Sequence, residues 1–170
     1  MGIFDLPLIT RIRRNHGFEH ATIHVLSHHV EDLSVVGRSD WHGFTLYGPL
    51  DTVEVERAAT EALHRLRQGE ADLAVHPRCG TVLVTTGLLT AVAAFLAIGL
   101  DGGNPRARFR WTSIPAAIMA ATGAAVFSQP LGLLLQERYT TTGQPGNLQI
   151  KSITAKSNGG VMTHRVETTQ

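Results

Sequence analysis

A single cysteine, Cys79, stands among the 170 residues, so no internal disulfide can form, and a reducing compartment suits such a chain. Neither sign of charge is in excess: the formal net charge is +1. No basic stripe is interleaved with aromatics, and nucleic acid is not an expected partner. Ser27 and Ser39 sit in no recognisable nucleophile elbow, which argues against serine catalysis. The opening MGIFDLPLI breaks its apolar residues with Asp5 and Pro7 and is followed, not preceded, by Arg11, Arg13 and Arg14, a pattern unlike a secretory signal. No internal repeat is evident. The most telling scarcity is local: charged residues are frequent from Arg11 to Arg78, yet Cys79 to Leu100 contain none and Trp111 to Gln136 contain none.

Those uncharged stretches hold two apolar runs, TVLVTTGLLTAVAAFLAIGL (81–100) and WTSIPAAIMAATGAAVFSQPLGLLLQ (111–136). About 20 apolar residues in a helix cross the roughly 30 Å hydrocarbon layer, so both runs are long enough. Buried helices of a soluble bundle usually carry a polar stripe, and here the polar residues are only Thr, Ser and Gln. The expectation is a transmembrane hairpin, 81–136, with helices over 81–100 and 113–135 and a basic loop, 101–112. Ala117, Ala121 and Ala125 on one helix, with Gly87 and Ala91 on the other, have the spacing that lets backbones approach. Pro130 should kink the second helix or end its regular part. The loop carries Arg106, Arg108 and Arg110, but Arg65, Arg67 and Arg78 precede the hairpin and Arg138 and Lys151 follow it. By that count a multi-pass protein of the cell membrane is expected, with both termini cytoplasmic.

Around the hairpin, residues 1–14 mix apolar and basic side chains and suit a membrane-surface segment, with Pro7 limiting any single helix there. Residues 15–80 form a His-rich domain. Helical character runs from about Gly17 to Val30, GRSDWHGF reads as a turn, and a short strand is expected around Phe44 to Tyr47. Asp51 or Thr52 then caps a helix to about Gln68, with Glu54 or Glu56 in its first turn and Gly69 at its end. The tail, 137–170, has turn signals in GQPGN and SNGG around alternating segments and suggests a β-hairpin. The fold class expected is a mainly α membrane protein: a two-helix transmembrane hairpin, a small α+β extramembrane metal-binding cap and a β-hairpin-like tail.

The segment RNHGFEHATIHVLSHH places five of the nine histidines within fourteen residues. His16, Glu19 and His20 spell H-x-x-E-H, and residues three and four apart share a helix face. Two such imidazoles can hold one metal ion while the glutamate between them serves as general base, the logic of the inverted zincin motif. His24 continues the row and His28 drifts further round it, by about 40° per step at 3.6 residues per turn. Either could be a ligand, although His16 and His20 make the better pair; an exposed histidine row on an amphipathic helix is the bland alternative. HPRCGT, residues 76–81, adds His76 and Cys79 at a spacing suited to ligation from a turn. His16, His20 and His76 would complete a three-ligand catalytic set. Cys79 could replace His76 or close the site as a fourth ligand, which would make it structural. A small buried thiol at a helix start is the ordinary reading of Cys79, and a polar interface residue that of His76. Asp40 could orient a ligating imidazole from behind and His42 is an alternative ligand, against the simpler reading of GRSDWHGF as a polar turn. Glu61 and Glu70 are expected to be solvated or paired with arginine.

The pairing of RNHGFEHATIH with HPRCGT, followed by apolar helices, resembles a poorly characterised family of bacterial integral-membrane proteins of unknown function, taken to be metal-dependent enzymes. Its recurring pieces are similar to His16, Gly17, Glu19, His20 and Thr22, and to His76, Pro77, Arg78, Cys79, Gly80 and Thr81. The resemblance covers roughly the first half of the chain. This chain departs from larger members in having one apparent membrane hairpin and a tail without a counterpart. The resemblance implies metal-dependent chemistry.

Two function classes follow. One is a membrane-bound zinc-dependent hydrolase, peptidase-like, with Glu19 as general base and a peptide or a lipid-like ester or amide as substrate. The other is a non-catalytic accessory or assembly subunit with a structural metal site and a membrane-protein partner. A histidine-based pH sensor without metal is a third. Zinc suits imidazoles with one thiolate, although iron, nickel or cobalt accept the same donors.

Overall fold

In the computed structural model the described residues are 6–101, 111–158 and 161–170. The arginines of the expected basic loop, Arg106, Arg108 and Arg110, lie outside them, as do residues 1–5. The chain forms two compact units, Met1–His76 with Glu137–Gln170, and Pro77–Gln136. The tail, residues 137–170, belongs to the same unit as the His-rich segment.

The first unit opens with helix α1, Pro7–His29. Pro7 occupies its first turn, where a missing N–H costs nothing and the fixed φ favours helix. The helix thus starts at the proline that was expected to limit it, and Arg11, Arg13, Arg14 and the histidine row share one continuous helix. Strands β1, Val36–Asp40, and β2, Gly43–Tyr47, form a hairpin. GRSDWHGF is therefore mostly strand. At its turn the Asp40 carboxylate accepts the His42 N–H at 2.7 Å. Helix α2 spans Thr52–Arg67. Its start and stop are those expected: the Asp51 side chain accepts the Val53 N–H at 2.7 Å, and Gly69, with φ +95°, takes a backbone conformation that favours glycine. A 3-10 turn, Ala71–Ala74, follows.

Strands β3, Gln149–Asn158, and β4, Val161–Thr169, form the C-terminal hairpin. It joins the first hairpin in one antiparallel sheet of order β1-β2-β4-β3. The register sets Phe44 opposite Val166 and Leu46 opposite His164. Because strand side chains alternate, Phe44, Leu46, His164, Val166 and Thr168 are all buried on one face. Phe18, Val25 and Leu26 from α1 and Val55, Ala59, Ala62 and Leu66 from α2 complete the core. Phe18 meets Phe44 edge to face with centroids 5.2 Å apart, a geometry that adds about 1 kcal/mol to their burial. Glu61 and Glu70 lie on the surface with Arg65, as expected.

The second unit is helices α3, Gly80–Asp101, and α4, Ile114–Leu135, the latter preceded by a 3-10 turn, Trp111–Ser113. Both are long and apolar enough to cross a membrane, with mean hydropathy of 2.2 over Gly80–Gly99 and 1.6 over Trp111–Thr140. Only 11% of the most apolar 18-residue window of each is buried, where the core helix of a soluble protein would be mostly covered. Leu88, Phe95, Met119 and Phe127 are among the exposed apolar side chains. Helix α4 runs through Pro130 to Leu135, so the proline does not end it. The helices pack along Ala117, Ser128 and Gly132 of α4, all buried, and Ala121 and Ala125 are half-buried on that same stripe. The expected partners Gly87 and Ala91 instead face outward. Val82 occupies the close-contact position: a Cβ on Gly132 would lie 2.9 Å from its Cα. The hydroxyls of Thr86 and Ser128 bond across the hairpin at 2.7 Å, on a face of α3 that small-residue spacing does not single out.

Candidate metal centre

The site is built on the buried side of α1, where Asn15, Gly17, Phe18, Glu19 and His20 follow one another. Gly17 is decisive for its shape. A Cβ there would stand 2.3 Å from the Thr142 carbonyl oxygen and 3.1 Å from the Ala74 Cβ, so only glycine lets both segments reach the helix. Their carbonyls then meet the two imidazoles. His16 Nδ1 lies 3.0 Å from the Thr140 oxygen, and His20 Nδ1 lies 2.8 Å from the Ala74 oxygen. A carbonyl can only accept, so in each neutral ring Nδ1 carries the proton and Nε2 bears the lone pair a metal would use. The rings are close, with centroids 4.4 Å apart, and His76 lies beside His20 at 6.0 Å.

Glu19 shares this face. Its residue is 4% exposed, and its carboxyl is pushed up to about 7, mainly by burial, against the opposing pull of His16 and a hydrogen bond from Ser39. Oε2 has no hydrogen-bond partner, leaving a buried acceptor unsatisfied. Gly37 on β1 makes room for the group, since a Cβ there would fall 2.1 Å from Oε1. Gly37 and Ser39 therefore shape the carboxylate's seat, a role hidden in the sequence because GRSD reads as turn chemistry.

The other expected site residues fall elsewhere. His24 contacts His28, with centroids 5.1 Å apart, and its ring is held toward neutrality by burial, then by His28 and Arg65. His42 stands at the exposed β1–β2 turn with Trp41. Asp40 does not back an imidazole. Its carboxylate takes both Arg165 nitrogens, at 2.8 and 2.9 Å, and this guanidinium holds it below the usual carboxylate range. Backbone carbonyls fill the role assigned to it, because a backbone acceptor needs no side chain of its own and leaves no trace in the sequence. Cys79 belongs to the second unit, at the turn into α3. It is buried, its thiol is not in a disulfide, and its sulfur accepts the Thr81 N–H at 3.4 Å.

A mostly helical chain with two candidate membrane helices and a small antiparallel sheet carrying a histidine pair and a buried glutamate is the class defined so far. Residues 11–153 match the family described as "Domain of unknown function (DUF6391)", and the chain belongs to that family. An uncharacterised protein of Picosynechococcus sp. (strain ATCC 27264 / PCC 7002 / PR-6) is 36% identical over 156 residues, covering 80% of this chain and 75% of its own length. No solved structure matches.

Proposed function

We propose that the protein is a membrane-bound, metal-dependent hydrolase with zincin-like chemistry, its α3–α4 hairpin in the bilayer and both termini cytoplasmic. The observation that carries this reading is Glu19, a buried carboxyl with an unsatisfied oxygen, raised to about 7 and placed between two histidines of one helix. A general base is most effective when its pKa is near the working pH.

His16 and His20 fit a metal, since both rings are held by their Nδ1 atoms with Nε2 as the donor. His76 is the third ligand. Cys79, three residues from His76 and so within about 10 Å of it by chain length alone, is a further candidate donor. Zinc is the ion this donor set suits. If held there, such an ion would supply Lewis acidity, making an attacking water more acidic and a substrate carbonyl more electrophilic. Glu19 accepts the proton of the attacking water at its carboxylate and delivers it to the leaving group, while Ser39 and Gly37 keep the carboxylate in place. The substrate class is a peptide, or a lipid-like ester or amide reaching the site from the bilayer.

A second reading is favoured by Cys79 itself. Its buried sulfur accepts the Thr81 N–H at the start of α3, and a cysteine sulfur is a common donor in closed zinc sites. As a fourth ligand it would close the site and make the protein an accessory subunit with a structural metal. Elemental analysis of detergent-purified wild type, Glu19→Gln, His20→Ala and Cys79→Ser, paired with ester and peptide hydrolysis assays, tests both. The hydrolase reading expects about one metal per chain in wild type and Glu19→Gln, none in His20→Ala, and turnover in wild type only or with Cys79→Ser. Metal lost from Cys79→Ser, with no turnover by wild type, moves the conclusion to the accessory subunit. Wild type without metal overturns both.

A further inference from the structure

A separate feature of the first unit points to an anion. Pro7, Arg11 and Arg14 lie along one face of α1, at four- and seven-residue spacing, and line a cavity of about 560 Å³ with Leu8, Asn147 and Gln170. Among the described residues its charge is uncompensated. Arg11 reaches the Thr168 carbonyl at 3.5 Å, and Arg14 reaches the side-chain oxygens of Asn147 and Gln170 at 3.4 and 3.5 Å, all neutral acceptors at the limit of hydrogen bonding. Among the described residues no carboxylate pairs with either arginine. The Nε atoms of both are buried without a partner.

An arginine cannot shed its proton, so the positive charge of both guanidiniums at the cavity wall persists and favours an anion there. The helix adds to the same field: α1 has 23 residues, no acidic residue in its first turn and no side-chain cap on its N-terminal amides. The chain also keeps the wall open for Arg14. Gly146, with φ +59°, has its missing Cβ position 2.7 Å from Arg14 Nη2, so any side chain there would displace the guanidinium.

We infer that this cavity binds a phosphate-bearing ligand, held by the Arg11 and Arg14 guanidinium forks, with Pro7 and Leu8 covering an organic portion. Two arginine forks match the several oxygens of a phosphate better than a point charge does. The volume exceeds that of inorganic phosphate alone. A membrane lipid headgroup and a soluble phosphate ester share this chemistry.

Full-length protein in neutral detergent would be titrated calorimetrically with inorganic phosphate and with dihexanoyl phosphatidylglycerol, at constant ionic strength in chloride. The variants are Arg14→Gln and Leu8→Glu; the latter sets a carboxylate at an exposed rim position, where folding is not at stake. Saturable binding by wild type that weakens at least about tenfold in both variants is expected, from the loss or repulsion of a charge-assisted contact. Binding of inorganic phosphate supports a soluble ligand, and binding of the phosphatidylglycerol alone supports a headgroup. No saturable binding of either probe overturns the inference, as does equal binding by wild type and Leu8→Glu.

Discussion

The two units handle polar groups in opposite ways. In the first, several buried polar side chains find partners far along the chain, although Thr22 bonds the Phe18 carbonyl: Asn15 bonds the Asp40 carbonyl, Thr168 and Gln170, and His20 bonds Ala74. In the second, the hydroxyls of Thr85, Thr90 and Thr122 turn back to the carbonyl four residues earlier on their own helix. Such local bonds form wherever the helix forms. The first unit therefore depends on backbones approaching at particular points, while the second depends on apolar composition and a few contacts across the hairpin. Glycine should accordingly have opposite meanings in the two.

Gly17→Ala is the severest test of that contrast. Its methyl would collide with the Thr142 carbonyl, a backbone atom that cannot swing aside, and the destabilisation expected from such overpacking is about 3 kcal/mol. Gly87→Ala, with nothing within 4 Å of the added carbon, should be neutral or stabilise by up to about 1 kcal/mol through helix propensity. Thermal unfolding of the two variants in the same detergent makes the comparison. Equal effects would mean that Gly17 does not hold the carbonyls of Thr140 and Ala74 to the histidines.

Glu19 gives the next largest effect and one with a pH signature. A carboxyl raised from 4.5 to about 7 costs nothing while protonated in both folded and unfolded chains, and its penalty grows as pH rises from 4.5 through 7. Glu19→Gln in chelator-stripped protein should thus gain on the order of 2–3 kcal/mol over wild type at pH 8 and nearly nothing at pH 4.5. Denaturant midpoints at the two pH values decide it. A gain that does not change with pH would show that the carboxylate is solvated after all.

How much of this was readable in advance follows the same division. The α3 and α4 helices were plain from the missing charges, and the ends of α2 from Asp51 and Gly69, because each signal is local. The spacing of His16, Glu19 and His20 likewise reported one helix face. What lay hidden was long-range. Gly37, Ser39 and Asp40 favour a turn by residue type, whereas the strand conformation of β1 is set by pairing with β2. The tail's hairpin was visible, but its place beside β2 was not: the Leu46–His164 register joins residues with no shared local pattern. Asp40 stands close in sequence to histidines, yet its partner is Arg165, 125 positions away. Thr140 and Ala74 contribute only backbone oxygens, which every residue has.

The smallest effect concerns the polar pair that crosses the hairpin. Thr86 and Ser128 bond at 2.7 Å, and Ser128 Oγ also lies 2.7 Å from the Ala125 carbonyl, so the hydroxyl has a local alternative within its own helix. Interhelical hydrogen bonds among apolar helices average about 0.6 kcal/mol when both partners find substitutes in the unfolded chain. Ser128→Ala should therefore cost about 0.6 kcal/mol, whereas Gly132→Leu, which would drive a side chain into the Val82 backbone, should part the helices. A cysteine pair at positions 86 and 128, scored for crosslinking in membranes, reads the separation directly: crosslinking should fall sharply with Gly132→Leu. If crosslinking survives Gly132→Leu, close backbone approach is not what joins α3 to α4, and the hairpin would have to be held by its apolar faces alone.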